Sequence, residues 1–353
     1  MAARLEGIAC LAGIAPWKRR RVTAMLSVER PLPHASDAAE AVRLARQRGG
    51  AIACWASREP AGLRELAGAA GVPVWAVEDG FIRSAGLGAA LVQPCSLVLD
   101  SRGAHYDSRQ PSDLEHLLQH GDFPPALLER AARLVERLRS GGITKYNLGE
   151  AAPVLPAGTE FELVLGQVDD DLSVRLGGGG QTVAGMIEAV RQEAQRQTIV
   201  FKPHPDVSAG LRKGVLAPAG CTVLPGADLL TLAARASRVH VLTSFGGFEA
   251  LLRGAEVVVH GQPCYAGWRL TRDRNPLPRR SRRLTLEALV AGCLLEYPLY
   301  FDPLTNRRCT AERLLDRIEA AGPASPPGLV ARLCGQAALR LRSLTRAAIP
   351  AGA

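Results

Sequence analysis

Three short strings put acids, cations and hydroxyls where an apolar run gives way to a turn. In VWAVEDGFIRS (74–84) the run ends in adjacent carboxylates, Glu78 and Asp79, followed by Gly80 and an exposed-looking Phe81-Ile82-Arg83. Neighbouring residues at a strand end point in different directions, so one acid can face a ligand while the other meets Arg83 or a backbone cap. A carboxylate in that position suits a nucleophile or a base. An Asp-Gly turn with a surface ion pair is the plainer reading. In FKPHPDV (201–207) a strand delivers Lys202 and His204, and Pro203 and Pro205 hold the chain extended around them. A histidine fixed in this way can bond a phosphate oxygen or protonate a leaving group. In HVLTSFGGFEALLRG (240–254) a strand over Val239–Leu242 runs through Thr243, Ser244, Gly246 and Gly247 into a helix over Phe248–Arg253. Small residues and unpaired N–H groups at such a junction favour an anion. Ser244 and Thr243 add hydroxyls, and Glu249 could accept from ribose hydroxyls. The same letters also describe an ordinary α/β turn with a Ser cap.

Two further segments carry weaker signals. GQVDDDLSV (166–174) presents Asp169, Asp170 and Asp171, but three consecutive acids cannot converge on one ion without strain, and the spacing of a calcium loop is absent. No metal is expected. A solvated loop in which Gln167 or one acid touches substrate fits better. GQPCYAGWRLTRDR (261–274) offers Tyr265 and Trp268 as flat surfaces and Arg269, Arg272 and Arg274 as anion partners, with core packing as the competing use of the aromatics.

The elements that must position these groups alternate. Helical patterns over Ala38–Gln47 and Leu63–Ala70 separate strands at Ala51–Trp55, Val72–Val77 and Leu97–Leu99. Two helices follow within Pro111–Arg139. After a Gly/Pro/Ala-rich break over 141–158 the alternation resumes. Strands are expected at Phe161–Leu165, Thr198–Lys202, Cys221–Leu224, Val239–Leu242 and Val257–His260, with helices at Val183–Arg196, Leu229–Ala234 and Phe248–Arg253. This predicts an α/β chain of two Rossmann-type domains, 1–150 and 151–320, with parallel sheets facing a central cleft and a basic helical tail over 321–353. No GxGxxG follows a strand, which disfavours a nicotinamide enzyme.

Bulk properties set the limits. A chain of 353 residues, 47% hydrophobic and 22% charged, has room for two cored domains, and no apolar run approaches 18 residues. Eight scattered cysteines without CxxC pairs suit reduced thiols in a cytoplasm, and the N-terminus reverses the charge order of a signal peptide. The net charge is +9, with seven Arg against one Asp in 269–283. An anionic substrate or membrane surface fits this excess. Nucleic acid ranks last, because aromatics are only 5% and do not alternate with basic residues.

Taken in order, seven strings resemble the KpsC/LipA family of capsule polysaccharide β-Kdo glycosyltransferases. They are VEDGFIRSAGLG (77–88), SLVLDSRGAHYDSRQPSDLE (96–115), ITKYNLG (143–149), GQVDDDLSVRLG (166–177), FKPHPDV (201–207), TSFGGFEALLRG (243–254) and GQPCYAGWRLTRD (261–273), and the likeness covers about 12–305. Typical members carry two modules, and this chain has the length of one. The resemblance implies a GT-B-like fold and CMP-Kdo as co-substrate, without a further cofactor. It also implies retention of the β configuration, and a lipid-linked glycan acceptor at the inner face of the inner membrane, within a capsule synthesis and export complex. On that resemblance Asp79 is the nucleophile of a double displacement, with Glu78 beside it. Lys202, His204, Pro205, Thr243, Ser244, Gly247 and Glu249 form the donor site. Arg83, Gln167, Tyr265, Trp268 and Arg269 are candidate substrate contacts. Gly246 stands where the family commonly has a hydroxyl residue. The alternatives are a non-catalytic assembly or export factor, or another GT-B sugar-nucleotide enzyme.

Overall fold

The structure, a computed structural model, describes residues 5–324 apart from 28–30, 149–151, 153–154, 157 and 195–196. The basic tail expected over 321–353 lies, beyond Ala324, outside the described residues. The strands are β1 Ile8–Ala12, β2 Ala51–Trp55, β3 Val74–Asp79, β4 Ser96–Asp100, β5 Phe161–Leu165, β6 Thr198–Lys202, β7 Thr222–Val223, β8 Arg238–Val241, β9 Val257–Val259, β10 Arg272–Asp273, β11 Pro298–Asp302 and β12 Arg307–Cys309. They form two sheets, one in each of two compact units. The first unit comprises the described residues of Met1–Ser84, Gln93–Leu138 and Arg280–Ala321, and the second those of Ala85–Val92, Arg139–Arg279 and Gly322–Ala353.

In the first unit the strand order is β1-β2-β3-β4-β11-β12. Both faces of β2 are buried, and its side chains alternate between two cores. Ile52 and Cys54 pack with Ala41, Ala45, Leu63 and Ala67 from helices Ala38–Arg48 and Leu63–Ala69. Ala53 and Trp55 pack with Val22, Met25 and Leu26 from helix Arg19–Leu26 on the other side. Helix Ala38–Arg48 begins where the Asp37 carboxylate accepts the Glu40 N–H, and it stops at Gly49, whose φ of 65° suits a residue without Cβ.

The expectation of parallel sheets holds here only for β1 to β3. β4, β11 and β12 each pair antiparallel to their neighbours. The domain boundary shifts as well. Residues expected in the second domain, 280–320, return to the first unit, because Leu299 and Phe301 of β11 complete the core begun by Leu97 and Leu99 of β4. Helix Ala311–Ala321 follows, tied to helix Pro125–Ser140 by Arg130–Glu312 and by Arg137 with Asp316 and Glu319.

The second sheet is parallel throughout, in the order β10-β9-β8-β5-β6-β7. From β5 the chain winds outward through β6 and β7, then returns to the other side of β5 for β8, β9 and β10. The strand order therefore reverses between β5 and β8. In an open α/β sheet the crevice beyond the carboxyl ends at such a reversal is where ligands bind. Gln167 and Thr243 stand there.

Candidate functional site

Each unit gathers polar side chains at the carboxyl ends of its strands. In the first unit β3 delivers Glu78 and Asp79, and the two point to different partners. The Asp79 carboxylate lies 3.1 and 3.3 Å from Lys18 Nζ, and its Oδ2 accepts from Arg83 Nε at 2.8 Å. Glu78 Oε1 accepts the Ser57 N–H at 3.1 Å and the Tyr106 hydroxyl at 3.2 Å. Burial, reinforced by the Asp79 charge, pushes the Glu78 carboxyl up to about 7. Adjacent acids with different partners can thus hold different protonation states near neutral pH.

The segment after the acids is buried. Phe81, Ile82 and Arg83 are 2%, 3% and 1% exposed, which corrects the expectation of an exposed Phe-Ile-Arg. Phe81 stacks on Tyr297 and meets His105 edge-on, and Ser96 Oγ donates to the Ile82 carbonyl. Gly80 is required in this packing, since a Cβ would lie 2.3 Å from Ser96 Oγ. The acid pair is therefore carried on a rigid strand end.

In the second unit the reversal between β5 and β8 is bracketed by one amide. Gln167 accepts the Thr243 N–H at 2.7 Å and donates to Thr243 Oγ1 at 2.9 Å, and that hydroxyl donates onward to Ser173 Oγ at 3.2 Å. Gln167 and Thr243 are thus buried partners that shape the turn. Ser244 is half-buried. Its Oγ accepts the Gly246 N–H at 3.2 Å, which keeps its own proton for donation.

His204 follows β6 and caps the short helix Pro205–Ser208, with Nδ1 accepting the Asp206 N–H at 3.1 Å. Pro205 occupies the first helical position, where a missing N–H costs nothing. Burial lowers the His204 imidazole from its ordinary value, so the ring is neutral at pH 7 and carries its proton on Nε2. That tautomer donates a hydrogen bond well, but it is a poor acid.

Other expected site residues are placed differently. The helix after Ser244 begins at Gly246, not Phe248, and spans Gly246–Leu251. Gly247 packs closely against Tyr265. A Cβ there would meet the Tyr265 hydroxyl at 2.3 Å, and that hydroxyl donates to the Ser244 carbonyl at 2.5 Å. Tyr265 and Trp268 are core residues, 1% and 0% exposed, not flat binding surfaces. Trp268 donates its indole N–H to the Cys264 carbonyl. Glu249 is buried and accepts the Lys145 N–H at 2.6 Å. Lys202 is buried at the end of β6, whereas Arg269 is exposed with a left-handed φ of 68°. Within the acidic loop, Asp170 pairs with Arg212 and Asp171 caps helix Leu172–Gly177. The basic strip is partly consumed by structure. Arg280 is buried against Glu115, and Arg282 sits over the Phe123 ring.

The sequence pointed to Arg83 as a partner of the acid pair but not to Lys18 or Tyr106. Lys18 opens the basic run 18–21, and only its place directly after Pro16-Trp17 sets it apart from the arginines. Nothing in the spacing linked position 18 to 79.

Two α/β units, one sheet mixed and one wholly parallel, with polar groups at the strand ends, define a GT-B-like fold. Solved structures agree with this. The chain overlays on the β-Kdo 2,4 transferase of Thermosulfurimonas dismutans KpsC with a TM-score of 0.78 at 30% identity, covering 88% of this chain and 98% of that one. For the β-Kdo 2,7 transferase of the same KpsC the TM-score is 0.71 at 32% identity, with the same coverage. A family model described as capsule polysaccharide biosynthesis protein matches residues 50–151 and 127–300, and the chain belongs to that family. It is 37% identical over 318 residues to the capsule polysaccharide modification protein LipA of Neisseria meningitidis serogroup B, across 88% of this chain and 45% of that protein. It is 38% identical over 261 residues to the lipopolysaccharide-processing protein LpsZ of Rhizobium meliloti, across 71% of this chain and 59% of the relative. The chain thus spans about half the length of the curated relatives it matches. No described helix is long and apolar enough to cross a membrane.

Proposed function

We propose that this chain is a retaining β-Kdo glycosyltransferase that moves Kdo from CMP-Kdo to a lipid-linked glycan acceptor in capsular or surface polysaccharide synthesis. The observation that carries the reading is the overlay on two Kdo transferases across 88% of the chain. The acid pair and the hydroxyl–histidine group at strand ends supply chemistry suited to that reaction.

In this reading Asp79 attacks the anomeric carbon of Kdo, the bond to the CMP phosphate breaks, and CMP leaves with the electron pair. The acceptor hydroxyl then attacks the glycosyl ester, loses its proton and frees Asp79. Two inversions give net retention. Glu78, with its carboxyl near 7, is suited to take that proton. His204 Nε2–H and the Ser244 hydroxyl donate to the departing phosphate, and Gln167 and Thr243 hold the turn that presents Ser244. Arg269, exposed and cationic, is available to the carboxylate of the sugar. The acceptor lies at the inner face of the inner membrane, where basic residues favour an anionic surface and a capsule export complex.

Incubation with CMP-Kdo and a Kdo-primed lipid acceptor, read by mass spectrometry, should add Kdo, and NMR should show the new linkage as β. Intact donor and acceptor after prolonged incubation, with the protein folded, would overturn the assignment.

A further inference from the structure

Asp79 is held by a lysine whose setting is unusual. Lys18 ends the helical turn Pro16–Lys18 and is only 7% exposed. Its ammonium spans both Asp79 oxygens, at 3.1 and 3.3 Å, and lies 3.7 Å from the centroid of the Trp55 ring and 5.1 Å from that of Trp17. Both rings face a cation with their negative side. Arg83, itself buried, holds Asp79 Oδ2 from another direction and donates to Ser84 Oγ. Two buried cations thus converge on one carboxylate, while the adjacent Glu78 is bonded by a neutral N–H and a neutral hydroxyl. That asymmetry decides which of two neighbouring acids keeps its charge.

We propose that Lys18 is a positioning residue for the reaction: clamped between the Asp79 carboxylate and the Trp55 indole, it keeps Asp79 the ionised member of the acid pair and fixes its orientation. The inference rests on the reading of Asp79 as nucleophile. Removing one partner of a purely structural ion pair would cost stability, but it would leave the pH dependence of the reaction unmoved. Lys18→Met therefore separates the two roles. It keeps the contact with Trp55 and removes the charge from Asp79, leaving Arg83 in place.

The test follows the Asp79 carboxyl directly, in protein labelled at aspartate Cγ, with its NMR signal assigned by its disappearance in Asp79→Asn. In Lys18→Met the midpoint of that titration should rise by about one pH unit or more. The acid limb of the pH–rate profile with CMP-Kdo should move with it, and kcat should fall about 100-fold at unchanged KM for the donor. An Asp79 titration that does not move in folded Lys18→Met overturns the proposal, as does a moved titration with an unmoved acid limb. A parental chain that never turns over CMP-Kdo would instead sink the reaction assigned above, and the titration still reports whether Lys18 sets the charge of Asp79.

Discussion

The carboxyl ends of the two sheets are furnished in opposite ways. The first unit collects full charges: Asp79 between Lys18 and Arg83, with Glu78 poised near neutrality. The second places neutral donors around its strand reversal: the Gln167 amide, the Thr243 and Ser244 hydroxyls and an uncharged His204. Its nearby charges are taken up locally, in Asp170–Arg212 and the Asp171 cap, or buried at the end of β6 in Lys202. A carboxylate about to form a bond has to be kept ionised and aimed, which calls for cations. A site that receives an anion already formed needs only preorganised N–H and O–H groups, without the desolvation cost of extra charge. The contrast teaches that one strand end is equipped to supply charge and the other to receive it.

The strongest blow to this contrast would come from Asp79. Asp79→Asn should lower transfer by about 10⁴-fold in steady-state assays with the fold retained, the scale of losing a member of a catalytic set. Asn is a better choice than Ala, because both remove the counter-charge of Lys18 and Arg83 but Asn keeps the volume and an oxygen that still accepts from them. A variant turning over at close to the parental rate would leave the first unit without a nucleophile. Glu78 sharpens the same side. Its folded carboxyl titrates near 7, above the value of an unfolded glutamate, so the folded form binds an extra proton between about 4.5 and 7. Stability is therefore lost as pH rises through that window. Glu78→Gln should gain on the parent from pH 5 to pH 8, by up to about 3 kcal/mol, in thermal or urea unfolding. A pH-independent difference would mean that Glu78 titrates normally.

The second unit is tested by smaller effects. Gly247→Ala should cost about 2 kcal/mol, because its Cβ has to push aside the Tyr265 hydroxyl and Val241, 2.3 and 2.9 Å away. Urea unfolding reads this, and parental stability would deny the close packing behind Ser244. Ser244→Ala and His204→Ala should each weaken CMP binding by about 10-fold, the loss of one hydrogen bond to a charged group. Unchanged calorimetric affinity in both variants would remove them from the donor site.

Much of this contrast was legible in the chain. Strands of five apolar residues ending in ED, KPH or TS, alternating with capped helices, announced the α/β elements and the residues at their ends. What stayed hidden was tertiary. Lys18 and Asp79 are 61 positions apart, and no local pattern encodes their pairing. The antiparallel β4 and β11 carry the same apolar letters as parallel strands, so direction had to come from the fold. Tyr265 and Trp268 looked like binding surfaces because an aromatic beside arginines reads the same whether it faces a ligand or fills a core. Gly247 looked like a phosphate glycine for a related reason: the demand for a missing Cβ comes from Tyr265, 18 residues later.

The return of β11 beside β4 has a consequence for biosynthesis. On the ribosome β4 is made first, and roughly 200 residues must follow before the strand that covers its open edge emerges. At ordinary elongation rates that is on the order of 10–40 seconds with an unpaired apolar ladder in solution. The second sheet can form as its strands appear, whereas the first waits until residues 298–302 have been made. Shortened products that stop before residue 298 would expose that ladder and be the ones quality control has to remove.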